Sequence, residues 1–487
     1  MPNHETNRRE FLKRATTLPW VAGLASLDSA SLVAESSQVE SNRRDSAQAG
    51  DQYVDFALDQ LSKASVRMPS ITAAAEAAAE RIVFRNGGLI GAGDGAFTGE
   101  FAWAAGGIAF TKQWKPDKPV AEPSQQADSS KPFYRTAEYE ESMYVRDVNS
   151  NDVVVLGFEN EHDEEAHLLP YINQLLGNKA LVILFSSEEI ARNVRASYGV
   201  RDDLLTITHD VPNGGIIQIP GWPDKICAGR GFVQRLNLWV FQAELIGAFL
   251  RRGKIPGVLL SVTYESPQIF NIPLIESYRF IPAFDVDSTS KGSFGQTFLD
   301  KLKSILGSIV PSQRAKFRQG AEWLAAAVRN HHKAFALLIH GVDPVGLPGD
   351  PGIFTCITEG NAQYPELNKI CTKDDVALFV GYNWYPPQLA ESIDRVGAKL
   401  ILCITTVQDL PPRPVMYGTE GPLYHVTALD QLPKRDNHIY IDEKWSQYDA
   451  CLKIPGYPVL ANSSSRFALN VVYWHFVADT VELLVKT

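Results

Sequence analysis

Four blocks of this sequence occur twice, in the same order, one set in each half. The first block is a helix-forming run that feeds a short apolar strand. In the first copy Ile71–Arg81 is rich in alanine, Asn86-Gly87-Gly88 stops the helix, and Leu89-Ile-Gly-Ala-Gly-Asp94 reads as strand and turn. The second copy offers Ala321–Arg329 and then Ala334–Asp343, so that Asp94 and Asp343 close matching strands. The second block is a buried strand after a polar entry, Asp152–Gly157 and Asp375–Val380, whose unbroken apolar runs suit parallel strands covered on both faces. The third is a glycine followed by a strand, Gly177–Leu184 and Gly397–Ile404, with each glycine expected as a left-handed helix cap. The fourth is a long apolar helix, Phe232–Leu250 and Phe467–Val481, with Leu-Asn, a tryptophan and an acid (Glu244, Asp479) at matching places.

Strands alternating with helices predict an α/β chain of two tandem doubly wound parallel sheets. The expected divisions are a first domain over 51–275, a connector over 276–294 and a second, degenerate domain over 295–487, with a surface insertion at 115–135. The 487 residues, 45% hydrophobic and 21% charged, supply enough apolar material for two cores. A formal net charge of -10 with no long basic run argues against nucleic acid and anionic membrane as partners. Five cysteines include no C-x-x-C pair, which gives no support to a zinc ribbon or a disulfide framework; no metal and no cofactor is expected.

The N-terminus carries a different message. Arg8-Arg9-Glu10-Phe11-Leu12-Lys13, then the modest apolar stretch Leu18–Leu27 and small residues, has the layout of a twin-arginine export signal ending near Ala30 or Ala34. Residues 1–34 are therefore expected to direct export, 35–50 to be a polar linker, and no later stretch to cross a membrane.

The run from the alanine-rich helix through Gly87-Gly-Leu-Ile-Gly-Ala-Gly-Asp-Gly95, the strand Asp152–Gly157 and the helix ending at Leu250-Arg-Arg-Gly-Lys-Ile-Pro256 resemble a sugar-isomerase (SIS) domain of the phosphoheptose-isomerase kind, with the second half a fainter copy. The resemblance implies a flavodoxin-like sheet that binds a sugar, usually phosphorylated, at the C-terminal strand ends. It also implies aldose–ketose isomerisation by Glu and His, and it admits a homo-oligomer. This chain departs from the family at the phosphate loop. In place of serines and threonines it has Phe158-Glu-Asn-Glu-His-Asp-Glu-Glu165, whose carboxylates would repel a dianion. Two readings stay open: an unphosphorylated or cationic sugar derivative is bound, with isomerase activity still conceivable, or catalysis is gone and the domains serve binding, sensing or assembly.

The candidate residues follow from these ends. Gly91, Gly93 and Gly95 permit a tight turn, with Asp94 and Thr98 beside it as ligand contacts. Glu100 is a candidate general base, or an acid that merely favours its helix start. His209 is its candidate acid–base partner, or a surface histidine. Glu159, Ser186 and Ser187 are candidate ligand contacts, and His340, Thr405-Thr406 and Ser463–Ser465 are lesser candidates in the second half. The acidic loop 159–165 is read as a helix start rather than a metal site, and the repeated Asn237, Glu244, Asn470 and Asp479 as caps or core hydrogen bonds.

Overall fold

The computed structural model describes residues 49–116, 143–261, 271, 274–275, 279–281, 287–338, 348–358, 367–381, 386–406, 432–445, 449–457 and 459–486. In the first half the order is α1 (Ala49–Phe84), β1 (Leu89–Gly93), α2 (Gly95–Trp103), β2 (Thr111–Trp114), β3 (Tyr144–Val145), β4 (Val153–Gly157), α3 (Glu161–Gly177), β5 (Leu181–Ser187), α4 (Glu188–Tyr198) and β6 (Leu204–His209). A small hairpin, β7 (Gly215–Ile217) and β8 (Ile226–Ala228), then leads into α5 (Arg230–Leu250). The second half runs α6 (Ser293–Ile309), α7 (Arg314–Arg329), β9 (Ala334–Leu338), β10 (Thr355–Thr358), α8 (Leu367–Ile370), β11 (Val376–Val380), α9 (Pro387–Val396), β12 (Lys399–Ile404) and β13 (His438–Asp442). A hairpin of β14 (Ala450–Lys453) and β15 (Leu460–Ser463) again precedes the closing helix, α10 (Ser465–Val485).

Both large sheets are parallel throughout. Their strand orders are β3-β2-β1-β4-β5-β6 and β10-β9-β11-β12-β13. Leaving aside the edge strand β3, the two orders are the same, the 2-1-3-4-5 arrangement of doubly wound sheets. The order reverses between β1 and β4 in the first sheet and between β9 and β11 in the second, and those are the switch points where a ligand crevice would open.

Strand side chains alternate between faces, and that alternation decides which core each residue enters. In β4, Val153 and Val155 face a central core while Val154 and Leu156 face an outer one. In β11, Val376, Leu378 and Val380 join the same central core, while Ala377 and Phe379 face a third. The two sheets thus share one central layer of helices, built from α1, α5, α6, α7 and α10. Helices α3 and α4 cover the far face of the first sheet, and α9 that of the second. Helix α5 is buried along nearly its whole length, its charged residues Arg230, Arg235 and Glu244 included. Residues 48–487 accordingly form one unit with a common core.

Several local details differ from the sequence reading. Helix α1 begins at Ala49 rather than near Ile71 and runs through Pro69, because the packing of its apolar face in the central layer outweighs the local cost of the proline. Gly397 is the expected left-handed cap, with φ 71°, but α3 ends on Gly177 and the left-handed residue is Lys179, with φ 59°. Helix α10 is long and apolar enough to cross a membrane by composition alone, yet it lies mostly buried among the central helices. Asp343, His340, residues 382–385 and most of the expected insertion lie outside the described residues.

The repeated acids of the closing helices act across the halves. Glu244 on α5 accepts from the amides of Gly292 and Gly295, both at 2.8 Å, at the start of α6, and from the Thr72 hydroxyl at 3.0 Å. Asp479 on α10 accepts from the Gly50 amide at 2.8 Å, and Glu482 from that of Ala49 at 2.9 Å, at the start of α1. Each half therefore satisfies the open amides of the other half's first helix.

Candidate functional site

The site that the fold makes available first is the switch point between β1 and β4. Here the backbones meet closely. Gly93, at φ +126°, would place a Cβ 1.7 Å from the Gly157 carbonyl oxygen, so only glycine fits. At Gly157 a Cβ would lie 2.5 Å from the Phe97 ring. Phe97 is fully buried over this junction and packs on Phe185 with ring centroids 5.8 Å apart. Gly91 is less tight, since a Cβ there would come 2.9 Å from the Phe101 side chain, and Gly95 faces open space. Phe97 and Phe101 belong to the central core, while Gly95 and Ala96 at the strand end are exposed.

Asp94 bridges the two strand ends. Its carboxylate caps α2 by accepting from the Phe97 amide at 2.8 Å. The other oxygen accepts from the amides of Glu159 and Asn160, at 2.5 and 2.8 Å. Backbone amides at a helix start and a strand-end loop are the groups that cradle a phosphate in other proteins. In this chain they hold an internal carboxylate. Thr98 donates its hydroxyl to the Asp94 carbonyl at 2.8 Å, one turn back in the same helix.

The acidic loop is a helix start, as read, with Asn160 accepting from the His162 amide at 2.9 Å, but two of its acids are not solvated. Glu159 is buried in a two-pronged pair with Arg235 of α5, one prong at 2.6 Å. Burial pushes the Glu159 carboxyl up while Arg235 pulls it down. Burial alone would lower Arg235, but Glu159 more than offsets this and holds the guanidinium charged. Glu164 pairs with Arg230 and accepts from the Ser186 hydroxyl at 2.8 Å. Ser187 caps α4 by accepting from the Ile190 amide at 3.3 Å.

Glu100 is fully buried and turned toward the second half. It accepts from the Trp239 indole at 2.6 Å and lies 2.7 Å from the Arg466 guanidinium of α10. His209 sits at the end of β6 and is also buried. With β4 and β5 between them, β1 and β6 are three strand spacings apart, about 14 Å. Glu100 and His209 are therefore not brought to one crevice where they could relay a proton. Burial first, then the charges of Arg230 and Arg67, hold the His209 imidazole down at about 3.

In the second half the Thr405 and Ser463 hydroxyls are likewise occupied, whereas the buried Thr406 hydroxyl has no hydrogen-bond partner. Thr405 donates to the Trp445 carbonyl at 2.7 Å, and the Thr406 amide donates to Asp442 at 3.2 Å. Asp449, rather than the serines themselves, caps α10: it accepts from the Ser465 amide at 2.8 Å and the Ser463 hydroxyl at 2.9 Å. Among the described residues no cluster of three His, Cys, Asp or Glu side chains is arranged for a metal ion.

The arginines Arg67, Arg230, Arg235 and Arg466 escaped the sequence reading. A signal existed for one of them: Arg235 is a charge inside an otherwise apolar helical run, which calls for a buried counter-charge.

The fold and these strand ends define an α/β protein of two doubly wound parallel sheets around a shared helical layer, with the strand-end amides of the first switch point held by the Asp94 carboxylate. No family model matches the chain and no curated protein matches it. Among solved structures, the C-terminal domain of glucosamine-fructose-6-phosphate aminotransferase from Francisella tularensis is similar at 11% identity, over 86% of this chain and 96% of that one, with a TM-score of 0.37. A likeness at that level adds nothing to what the two sheets show by themselves.

Proposed function

We propose that this chain is a non-catalytic module of the sugar-isomerase type, exported from the cytoplasm, that recognises a sugar derivative without interconverting it. The observation that carries the reading is the Asp94 carboxylate in the amide cradle of Phe97, Glu159 and Asn160. A dianionic phosphate would have to displace it and meet its charge. The engagement of Glu100 by Trp239 and Arg466, far from His209, supports the loss of acid–base work. Export rests on Arg8-Arg9-Glu10-Phe11-Leu12-Lys13.

The test is incubation of the purified chain with glucose, fructose and their 6-phosphates, followed by proton NMR. No aldose–ketose exchange above buffer is expected, together with a thermal shift from at least one unphosphorylated sugar or amino sugar. Turnover that disappears in Glu100→Gln would overturn the non-catalytic reading, and the absence of any shift would overturn sugar recognition. Export is tested by Arg8→Lys with Arg9→Lys, which should keep a reporter fused after residue 50 in the cytoplasm.

A further inference from the structure

The two small hairpins that precede the closing helices sit in matching places. In the first half the hairpin of β7 and β8 carries Cys227, and in the second half that of β14 and β15 carries Asn462. Each stands twelve residues before the repeated tryptophan of its own half, Trp239 or Trp474. Both are fully buried, and both hold a left-handed backbone, with φ 67° and 62°. That conformation costs free energy outside glycine, so the surroundings must fix it.

What fixes it lies in the opposite half. The Cys227 amide donates to the Gly349 carbonyl at 2.8 Å, and the Asn462 amide to that of Gly106 at 2.9 Å. The Cys227 thiol donates to the Trp474 carbonyl at 3.7 Å, and Asn462 Nδ2 to the Trp239 carbonyl at 2.6 Å. Gly106 lies in the connection from β1 to β2 and Gly349 in that from β9 to β10, the same place in the two sheets. Both glycines are left-handed as well, at φ 78° and 97°. A Cβ on Gly106 would come 2.7 Å from the Asn462 nitrogen, and one on Gly349 2.7 Å from the Gly215 Cα of β7. Each hairpin is thus pressed against the backbone of the other half. Contacts made reciprocally by matching residues are the mark of a self-complementary interface, and here both sides belong to one chain.

We propose that the two hairpins are exchanged clasps: each holds the first crossover of the opposite half, which does not open unless that hairpin lets go. The chemistry makes the clasps unequal. An amide N–H is a stronger donor to a carbonyl than a thiol, so Asn462 grips the first half harder than Cys227 grips the second. The caps supplied by Glu244 and Asp479 tie helix starts in the central layer, whereas the clasps act on the connections at Gly106 and Gly349. The inference goes beyond the functional reading above and stands without it, since no ligand enters it.

The test is hydrogen exchange of the full chain, read peptide by peptide by mass spectrometry. Asn462→Gly removes the side-chain bond while leaving the left-handed backbone free of strain. It should speed exchange over 104–111, in the first half, about tenfold, and leave β4 and β5 unchanged. Cys227→Gly should speed exchange over 348–356, in the second half, by a smaller factor, and leave β11 and β12 unchanged. The two variants probe the clasps from opposite sides, so that if one does not fold the other decides. His331→Gly, at an exposed position with φ 60°, should move neither region. Faster exchange confined to the variant's own hairpin, with the opposite half unmoved, would overturn the exchanged clasps. Equal acceleration of every peptide would mean a general loss of stability and would overturn them as well.

Discussion

Lowering the pH should expose the cost of His209. In the fold its imidazole is held neutral, with a pKa of about 3 against an ordinary 6.5, chiefly by burial and then by Arg230 and Arg67. The unfolded chain binds the proton between those two values and the folded chain does not, so stability is lost as pH falls from about 6.5 toward 3. At pH 5 the unfolded form is favoured by about 30-fold through this one group, or about 2 kcal/mol. Other buried groups complicate the raw profile. Glu443, pushed well up by burial, titrates in the opposite sense. The clean quantity is a double difference. Denaturant midpoints of the parent and of His209→Phe, which keeps the aromatic volume, are compared at pH 8 and pH 5 in chloride. The parent should lose about 2 kcal/mol more than the variant between the two. Parallel losses would mean that His209 is solvated or hydrogen-bonded in the fold, and the argument from burial would fail.

Three further outcomes follow from the packing. Glu159→Gln strands the buried Arg235 charge and should cost about 3 kcal/mol by denaturant unfolding, with most of it recovered in the double variant Glu159→Gln, Arg235→Met. Gly157→Ala drives a methyl into the Phe97 ring and should cost about 2 kcal/mol, less in a Phe97→Leu background where the space opens; equal costs would show that the ring moves freely. Asp479→Ala uncaps α1 from across the two halves, and should cost about 1 kcal/mol and speed hydrogen exchange at Gly50 more than at the α6 start, which Glu244 caps.

The sequence carried the architecture because strand and helix patterns are local. The apolar runs at 153–157 and 376–380 suit doubly covered strands in a parallel sheet, and their repetition in order pointed to two sheets of one kind. Glu244 and Asp479 stood out as repeated polar points in apolar helices, and both proved to be caps. The content of the strand ends was not legible in the same way. Asp94 and His209 lie at strand ends, while Glu100 lies within α2, one turn past the glycine turn after β1. What each side chain meets depends on residues 65 to more than 360 positions away: Glu159 and Asn160 for Asp94, Arg466 for Glu100, Arg67 for His209. Local periodicity contains no term for such partners. Only the tertiary structure, by packing both sheets onto one helical layer, decided that the Asp94 carboxylate takes the strand-end amides and that Glu100 and His209 are buried apart from one another.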